Sequence, residues 1–264
     1  MDWFCALTED QARFREYAEM VMVAVHTARK FTSLRPHVIY EGGDNEFTEW
    51  LDRHGAKIIR YRGSFRDALN QLGERDQLSY IAAGIAGTFL RVDLPELVSR
   101  SSSRDAVLYT DCDVMFQRDV VPELAGTNCD YFAVAGEFTR DDYESMNAGV
   151  MLMNLPRLQE TIDEFRNFIS TNLDLLKNEA WDQGAFRRFY RRADGTRMWD
   201  KLRPELNWKP YWGKNPQAGI IHFHGPKPFQ RERIRTEIPQ LEYLTGGAYV
   251  DLCREWDEFL AEAR

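Results

Sequence analysis

Hydrophobic residues in the first half of the chain follow two periods that alternate. Short apolar or β-branched runs, typical of strands, precede longer stretches in which apolar residues recur every three or four positions, as in a helix that faces a core. The predicted order is strand Trp3–Leu7, helix Thr8–Thr32, strand His37–Gly43, a helix capped by Asp44 and strand Lys57–Tyr61. This β-α-β-α-β order predicts an α/β fold with a mostly parallel sheet flanked by helices.

The second half is predicted to contain further helices and strands. The helices are Tyr80–Arg91, Leu158–Leu173 and Tyr249–Leu260. The strands are Val107–Phe116, which two acids interrupt, Phe132–Ala135, Gly149–Met153 and Gly219–Phe223. No repeat or linker divides the 264 residues, so we expect one domain.

Composition narrows the classes of protein. The formal net charge of -8 argues against nucleic-acid binding, which needs a basic surface. Hydrophobic residues make up 44%, enough for a large core. The four cysteines are scattered, which excludes a zinc ribbon or a disulfide scaffold. The first residues lack the features of a signal peptide, and no apolar run approaches the ~20 residues that span a bilayer. We therefore expect a cytoplasmic protein.

Two carboxylates follow the apolar residues of one predicted strand. Asp111 and Asp113 come directly after Val107-Leu108-Tyr109. In open α/β sheets, ligands bind beyond the carboxyl ends of strands. Two acids crowded there without a cation would repel each other. The pair predicts either a site for a hard divalent ion with open positions for substrate phosphates or two acids in a solvated loop.

A second polar segment lies near the end of the chain, in the sequence IIHFHGPKPF. The strand period of two puts Ile221 and Phe223 on one face and His222 and His224 on the other. Lys227 follows after a turn, as a point charge suited to phosphate. An imidazole added to two carboxylates favours manganese over magnesium.

Six segments in order resemble glycosyltransferase family 8: FLRVDLPEL, VLYTDCDVMF, MNAGVMLMNL, WDQGAF, LNW and HFHGPKPF. The resemblance extends over about Trp3–Phe229. It implies a single GT-A domain, with residues 1–115 as the nucleotide-binding half, 116–240 as the sugar and acceptor half and 241–264 as a C-terminal helix. It also implies transfer of a hexose from a UDP-linked sugar to a glycan or other hydroxyl acceptor, with retention of configuration and with Mn²⁺, or alternatively Mg²⁺.

The resemblance also implies roles for individual residues. The metal ligands would be Asp111, Asp113 and His222. The donor would contact Leu7 and Thr8 on the base side, Cys112 at the ribose, Ala148 and Gly149 near the sugar, and Gly225 and Lys227 at the diphosphate. Arg91, which matches a family arginine, would also belong to the donor site. Asp182, Gln183 and Asn147 would act at the reacting carbon.

The chain departs from the family pattern in two places. One residue is missing between Gly225 and Lys227, which leaves His224 as a rival metal ligand. The first strand ends in ALTED without the aspartate or asparagine that many members use for the base, so Glu9 or Asp10 could substitute.

Other functions stay open at this point. One is a non-catalytic protein that binds nucleotide-sugars or glycans, and another is a phosphatase of the haloacid dehalogenase type, which also carries D-x-D after a strand. The stretch Arg187–Arg203 has a net charge of +5. It predicts either a solvated face with Phe189, Tyr190 and Trp199 turned inward or a patch for an acceptor or the inner membrane face.

Overall fold

The computed structural model describes residues 1–78, 84–99 and 106–264. Strands in this part of the chain are β1 Asp2–Thr8, β2 Arg35–Glu41, β3 Lys57–Arg60, β4 Ala106–Thr110, β5 Val114–Phe116, β6 Phe132–Gly136, β7 Met146–Asn154, β8 Asp200–Lys201 and β9 Ile220–His222. The helices are α1 Phe14–Phe31, α2 Glu46–Arg53, α3 Arg66–Asp76, α4 Ala86–Phe89, α5 Leu94–Ser99, α6 Val121–Ala125, α7 Leu155–Gln159, α8 Ile162–Leu176, α9 Trp181–Phe189, α10 Arg231–Glu237, α11 Pro239–Leu244 and α12 Ala248–Ala263.

Seven strands form one sheet in the order β3-β2-β1-β4-β7-β6-β8. The strands β1 to β4 run parallel, and so do β6 and β8, whereas β7 is antiparallel to both of its neighbours. The sheet is therefore mixed and mostly parallel, as predicted. Strand β5 pairs instead with β9 in a separate two-stranded sheet.

The core lies on both faces of the large sheet. Along β1, Trp3, Cys5 and Leu7 pack in the cluster that includes α1, while Phe4 belongs to the cluster on the other face, which includes α8 and α9. This alternation follows from the strand period of two. The apolar stripe of α12 packs against α1 in a third cluster, so it is core, as expected.

Several element boundaries differ from the predictions, and the predicted helix Leu158–Leu173 is divided between α7 and α8. Helix α1 begins at Phe14 because residues 8–13 form a turn, with Gln11 N donating to Thr8 O. Asn45 caps α2 through Thr48 N, whereas Asp44 pairs with Arg60. The predicted strand Val107–Phe116 is two strands, β4 and β5, in two sheets.

Part of another predicted helix cannot be compared. Of the span Tyr80–Arg91, residues 80–83 lie outside the described residues. The rest contains α4 and a 3₁₀ turn, Leu90–Asp93.

The basic stretch 187–203 is a solvated face with its aromatic side chains turned inward. Tyr190 and Trp199 are buried, and Phe189 packs against the core. Arginines of the stretch are paired with acids, including Arg188 with Glu179, and Arg191 and Arg197 with Glu144. None of the described helices is both long and apolar enough to cross a membrane.

Candidate functional site

The two candidate carboxylates lie where the large and small sheets meet. Residues 111–113 connect the end of β4 to β5, and Asp111 N donates to Gly149 O of β7 at 2.8 Å. The antiparallel pairing of β5 with β9 puts Val114 opposite His222. This register brings the His222 side chain beside both acids.

Asp111, Asp113 and His222 form a compact group of potential metal ligands, with donor atoms within 4.8 Å of one another. His222 Nε2 lies 3.4 Å from Asp113 Oδ1 and 4.0 Å from Asp111 Oδ2. Asp113 and His222 are buried, and Asp113 Oδ1 has no hydrogen-bond partner among the described residues. A buried carboxylate oxygen without a partner is costly unless a ligand supplies one. The donor set therefore fits a divalent cation.

The remaining nitrogen of His222 is held by a buried amide. Nδ1 lies 2.9 Å from Asn207 Oδ1, and Asn207 Nδ2 donates to Asn147 Oδ1 at 2.9 Å. Because an amide oxygen only accepts, Nδ1 carries the proton and Nε2 keeps its lone pair for a cation. Gly149 faces the same ring, and a Cβ there would lie 2.7 Å from Nε2, too close for any other residue.

Lys227 joins the group from the turn that follows β9. Its ammonium bonds to Asp113 Oδ2 and to Phe223 O. The turn requires Gly225, whose φ of +98° is left-handed. Burial opposes the ionisation of Asp113, but the neighbouring Lys227 ammonium outweighs it and holds the pKa of Asp113 well below its usual range. Asp113 is thus kept as a carboxylate.

Arg91 contacts three parts of the site, namely Asp111, Ala148 and Asp182. Its buried guanidinium bonds to Asp111 Oδ1 at 2.7 Å and to Ala148 O, and Nε lies 2.8 Å from Asp182 Oδ2. Burial lowers the pKa of Arg91, but Asp111 and Asp182 more than compensate and raise it. All of these contacts are within the protein, so Arg91 fixes the positions of the two acids.

Asp182 and Gln183 begin helix α9 after an unusual turn. Ala180 and Trp181 both have a left-handed φ, 64° and 55°, which is rare for residues with a side chain. Such conformations persist where the surrounding structure enforces them, often at functional sites. Gln183 Oε1 accepts from Ala148 N at 2.9 Å. Burial raises the pKa of Asp182, which Arg91 opposes.

A second polar cluster, which we call the Glu137 cluster, consists of Glu137, Lys209, Tyr211 and His224. Gln183 Nε2 donates to Glu137 Oε1 at 2.9 Å, so the cluster adjoins the site. The Tyr211 hydroxyl lies 2.9 Å from His224 Nδ1. Burial and the neighbouring His222 lower the pKa of His224 to about 3. The compact group of potential metal ligands in the described residues consists of Asp111, Asp113 and His222 and does not include His224.

A cleft of about 300 Å³ opens beside the ligand group. The predicted residues Leu7, Thr8, Asp111, Cys112, Asp113 and Lys227 line it. The predicted residues of β7 and α9 do not line the cleft but are joined by the hydrogen bond from Ala148 N to Gln183 Oε1; they are Asn147, Ala148, Gly149, Asp182 and Gln183. Arg91 is buried, and Gly225 shapes the turn before Lys227.

Glu9 and Asp10, the candidate base-reading acids, are directed elsewhere. Glu9 accepts from Gly43 N at 2.7 Å, and Asp10 pairs with Arg66 at 2.7 Å. The sequence interpretation assigned no role to Asn207, Glu137, Tyr211 or Gln11. Only Asn207 lies in a segment that carried the family resemblance, LNW.

Solved structures share the architecture of this chain. The galactosyltransferase LgtC, solved with donor and acceptor sugar analogues, is similar with a TM-score of 0.60 and 18% identity, over 93% of this chain and 95% of that one. The chain has the GT-A glycosyltransferase fold. The glycosyltransferase GlyE of Streptococcus pneumoniae TIGR4 has a TM-score of 0.61 and 17% identity, over 99% of this chain and 63% of that one. For mouse xyloside xylosyltransferase 1 the values are 0.57 and 14%, over 85% and 98%.

These likenesses confirm at the level of fold the resemblance that the six segments predicted. No protein-family model matches the chain, and no curated protein sequence matches it significantly. At such low identities the comparison establishes the architecture, and the chemistry has to be argued from the site.

Proposed function

We propose that this protein is a metal-dependent glycosyltransferase that moves a hexose from a UDP-linked sugar to a hydroxyl of a glycan acceptor, with retention of configuration. One observation carries the proposal: a buried, unpartnered carboxylate oxygen of Asp113 faces His222 Nε2 and Asp111 at the edge of a cleft in a GT-A fold. A phosphatase of the haloacid dehalogenase type would use the first acid, Asp111, as nucleophile, whereas Asp111 is paired with the buried Arg91 and the GT-A architecture favours a transferase.

Asp111, Asp113 and His222 are the residues that would hold the cation. Two carboxylates and one imidazole suit Mn²⁺ better than Mg²⁺, which prefers oxygen ligands throughout. When bound, the cation would supply Lewis-acid stabilisation of the negative charge on a departing diphosphate. Asn207 would keep the imidazole in the tautomer that can bind it.

Different residues of the chain would contact different parts of the donor. Breaking the sugar–phosphate bond leaves negative charge on the diphosphate and positive character on the sugar. Lys227 would stabilise the diphosphate, and Gly225 gives it the turn from which to do so. Leu7 and Thr8 would face the nucleoside, with the Cys112 backbone at the ribose.

Asp182 and Gln183 would contact the reacting carbon on the side opposite the leaving diphosphate. The sugar itself would contact Asn147, Ala148 and Gly149. Gln183 is fixed by Ala148 N and by Glu137, so its amide is oriented before any substrate enters. Pre-oriented dipoles stabilise developing charge without reorganisation. Such an arrangement needs no dedicated base, because a leaving phosphate oxygen can accept the acceptor's proton.

The proposal is tested by a thermal-shift screen of nucleotide-sugars with and without Mn²⁺, followed by measurement of nucleotide release. We expect stabilisation by UDP-sugars that depends on Mn²⁺, with slow release of UDP. Asp113→Asn should abolish the Mn²⁺-dependent shift, and Asp52→Asn, at an exposed position, should not. No response to any nucleotide would refute the proposal, whereas binding without release in any acceptor screen would favour a non-catalytic binder.

The two histidines provide a matched test of the ligand set. His222→Ala should eliminate Mn²⁺-dependent binding, while His224→Ala, at a residue bonded to Tyr211, should retain it. The reverse ranking would show that His224 is the ligand.

The sugar-side assignment needs a separate measurement. Gln183→Ala should lower turnover and leave the affinity for UDP unchanged, because Gln183 lies away from the nucleotide cleft. If the substitution weakened UDP binding alone, Gln183 would not face the sugar.

A further inference from the structure

The turn between β1 and α1 contains three consecutive polar residues, Glu9, Asp10 and Gln11, whose side chains have different surroundings. Glu9 accepts from Gly43 N and from Asn45 Nδ2, and Asp10 pairs with Arg66. Gln11 is the one of the three that lines the cleft. The side chains of Glu9 and Asp10 are thus bonded to other protein groups, and the side chain that faces the cleft is the carboxamide of Gln11.

The carboxamide of Gln11 is available to a ligand. Within the described residues, no group hydrogen-bonds to its side chain, although its backbone N–H bonds to Thr8 O. A Cβ built on Gly84 would lie 3.4 Å from Gln11 Oε1, so the carboxamide extends toward the opposite wall of the cleft.

The position of Gln11 corresponds to the base end of a bound nucleotide. The ligand group and Lys227 line the cleft, and so do Thr8 and Gln11, which a hydrogen bond from Gln11 N to Thr8 O joins. Gln183, on the sugar side, does not line it. Because Thr8 faces the nucleoside in the proposed function, a nucleoside diphosphate with its phosphates at the ligand group would put its base near Gln11.

The carboxamide of Gln11 forms hydrogen bonds that the carboxylate of an aspartate or glutamate at this position would not form. Uracil presents an N3–H donor beside the O4 acceptor, whereas cytosine presents an N3 acceptor beside the N4 amino donor. A carboxylate only accepts, so it favours uracil. A carboxamide offers one acceptor and one donor group, and a half-turn about its last torsion exchanges them.

We propose that Gln11 reads the base edge of the donor nucleotide and that this site accepts uracil and cytosine nucleotides alike. The proposal rests on the proposed function, because it needs a nucleotide diphosphate in the cleft. It deepens that function by replacing a UDP-specific site with a pyrimidine site.

The test is calorimetric titration of UDP and CDP in the presence of Mn²⁺. We expect the two dissociation constants of the wild-type protein to agree within about threefold. Gln11→Glu should shift the ratio toward UDP by about tenfold, because a carboxylate repels N3 of cytosine. Gln11→Ala should weaken both nucleotides about equally. Gln71→Glu, the same change at an exposed position of α3, should leave the ratio unchanged.

The outcomes separate this proposal from the proposed function. Wild-type protein that binds UDP more than tenfold tighter than CDP, or a Gln11→Glu variant with an unchanged ratio, would overturn the role of Gln11 and leave the glycosyltransferase proposal standing. Wild-type protein that binds neither nucleotide would overturn both.

Discussion

Asn207 provides the most direct test of how the metal site is prepared. Its side chain is fully buried, with Oδ1 at His222 Nδ1 and Nδ2 at Asn147 Oδ1. Replacing it with leucine, which has the same branched shape and number of side-chain heavy atoms, removes both hydrogen bonds without opening a cavity. Asn147 Oδ1 still accepts from Gly149 N at 3.2 Å, so His222 loses its only partner at Nδ1 within the described residues.

The expected magnitude follows from that loss. A buried N–H without an acceptor is unfavourable by about 1–3 kcal/mol, and the free imidazole can turn or exchange its tautomer. Loss of a partner behind a metal-binding histidine typically lowers metal affinity about 10–100-fold. We expect Asn207→Leu to weaken Mn²⁺ binding within that range. Asn207→Asp keeps an acceptor for Nδ1 and should weaken it much less.

The assay is a titration of metal-free protein with Mn²⁺ in the absence of nucleotide. The paramagnetic resonance signal of the free ion measures how much Mn²⁺ remains unbound. Thermal unfolding in a chelator shows separately whether each variant is folded. Asn178→Leu, the same change at an exposed residue of the α8–α9 connection, is the control. A folded Asn207→Leu variant with wild-type affinity would refute the conclusion that Asn207 prepares His222.

Three further predictions concern buried groups. Gly149→Ala should displace His222 and abolish Mn²⁺ binding, whereas Gly126→Ala, with no atom within 3.4 Å of its Cβ, should be neutral in the same titration. Arg91→Met removes the partner of two carboxylates, so we expect urea denaturation to show a loss of about 3–5 kcal/mol. Burial lowers the pKa of Lys209 from 10.5 to about 7, so the unfolded chain binds more protons above pH 7 and stability rises with pH. Relative to Lys209→Met, wild-type stability should therefore rise by about 2 kcal/mol from pH 7 to 9 in urea denaturation, and parallel profiles would contradict this.

Local patterns in the sequence were sufficient to predict most of the fold. The apolar alternation of β1 and the helical spacing of α1 and α12 each reflect one buried face, which is a local property. The pairing of strands is not local. The run Val107–Phe116 is apolar on both sides of its acids, and nothing in it indicates that its second half leaves the large sheet to pair with β9.

In the candidate site, too, local features could be predicted from the sequence and long-range contacts could not. The sequence places Asp111 and Asp113 at a strand end and His222 on a polar face, and in the structure these three residues meet. Glu9 and Asp10 could not be assigned from the sequence, because their partners Gly43 and Arg66 lie 34 and 56 residues away. Whether a polar side chain faces a ligand depends on such distant partners, which local composition does not reveal.

The charges around the ligand group suggest why donor binding should require a cation. Lys227 bonds to Asp113, and Arg91 is shared between Asp111 and Asp182, so both cations of this group are already paired with carboxylates and leave no unpaired positive charge for a phosphate. A diphosphate that entered this group alone would meet repulsion in a poorly solvated site, where charges are weakly screened. A divalent ion held by Asp111, Asp113 and His222 would supply the missing positive charge. UDP should therefore bind weakly in a chelator, and equal affinity with and without Mn²⁺ would contradict this account of the site.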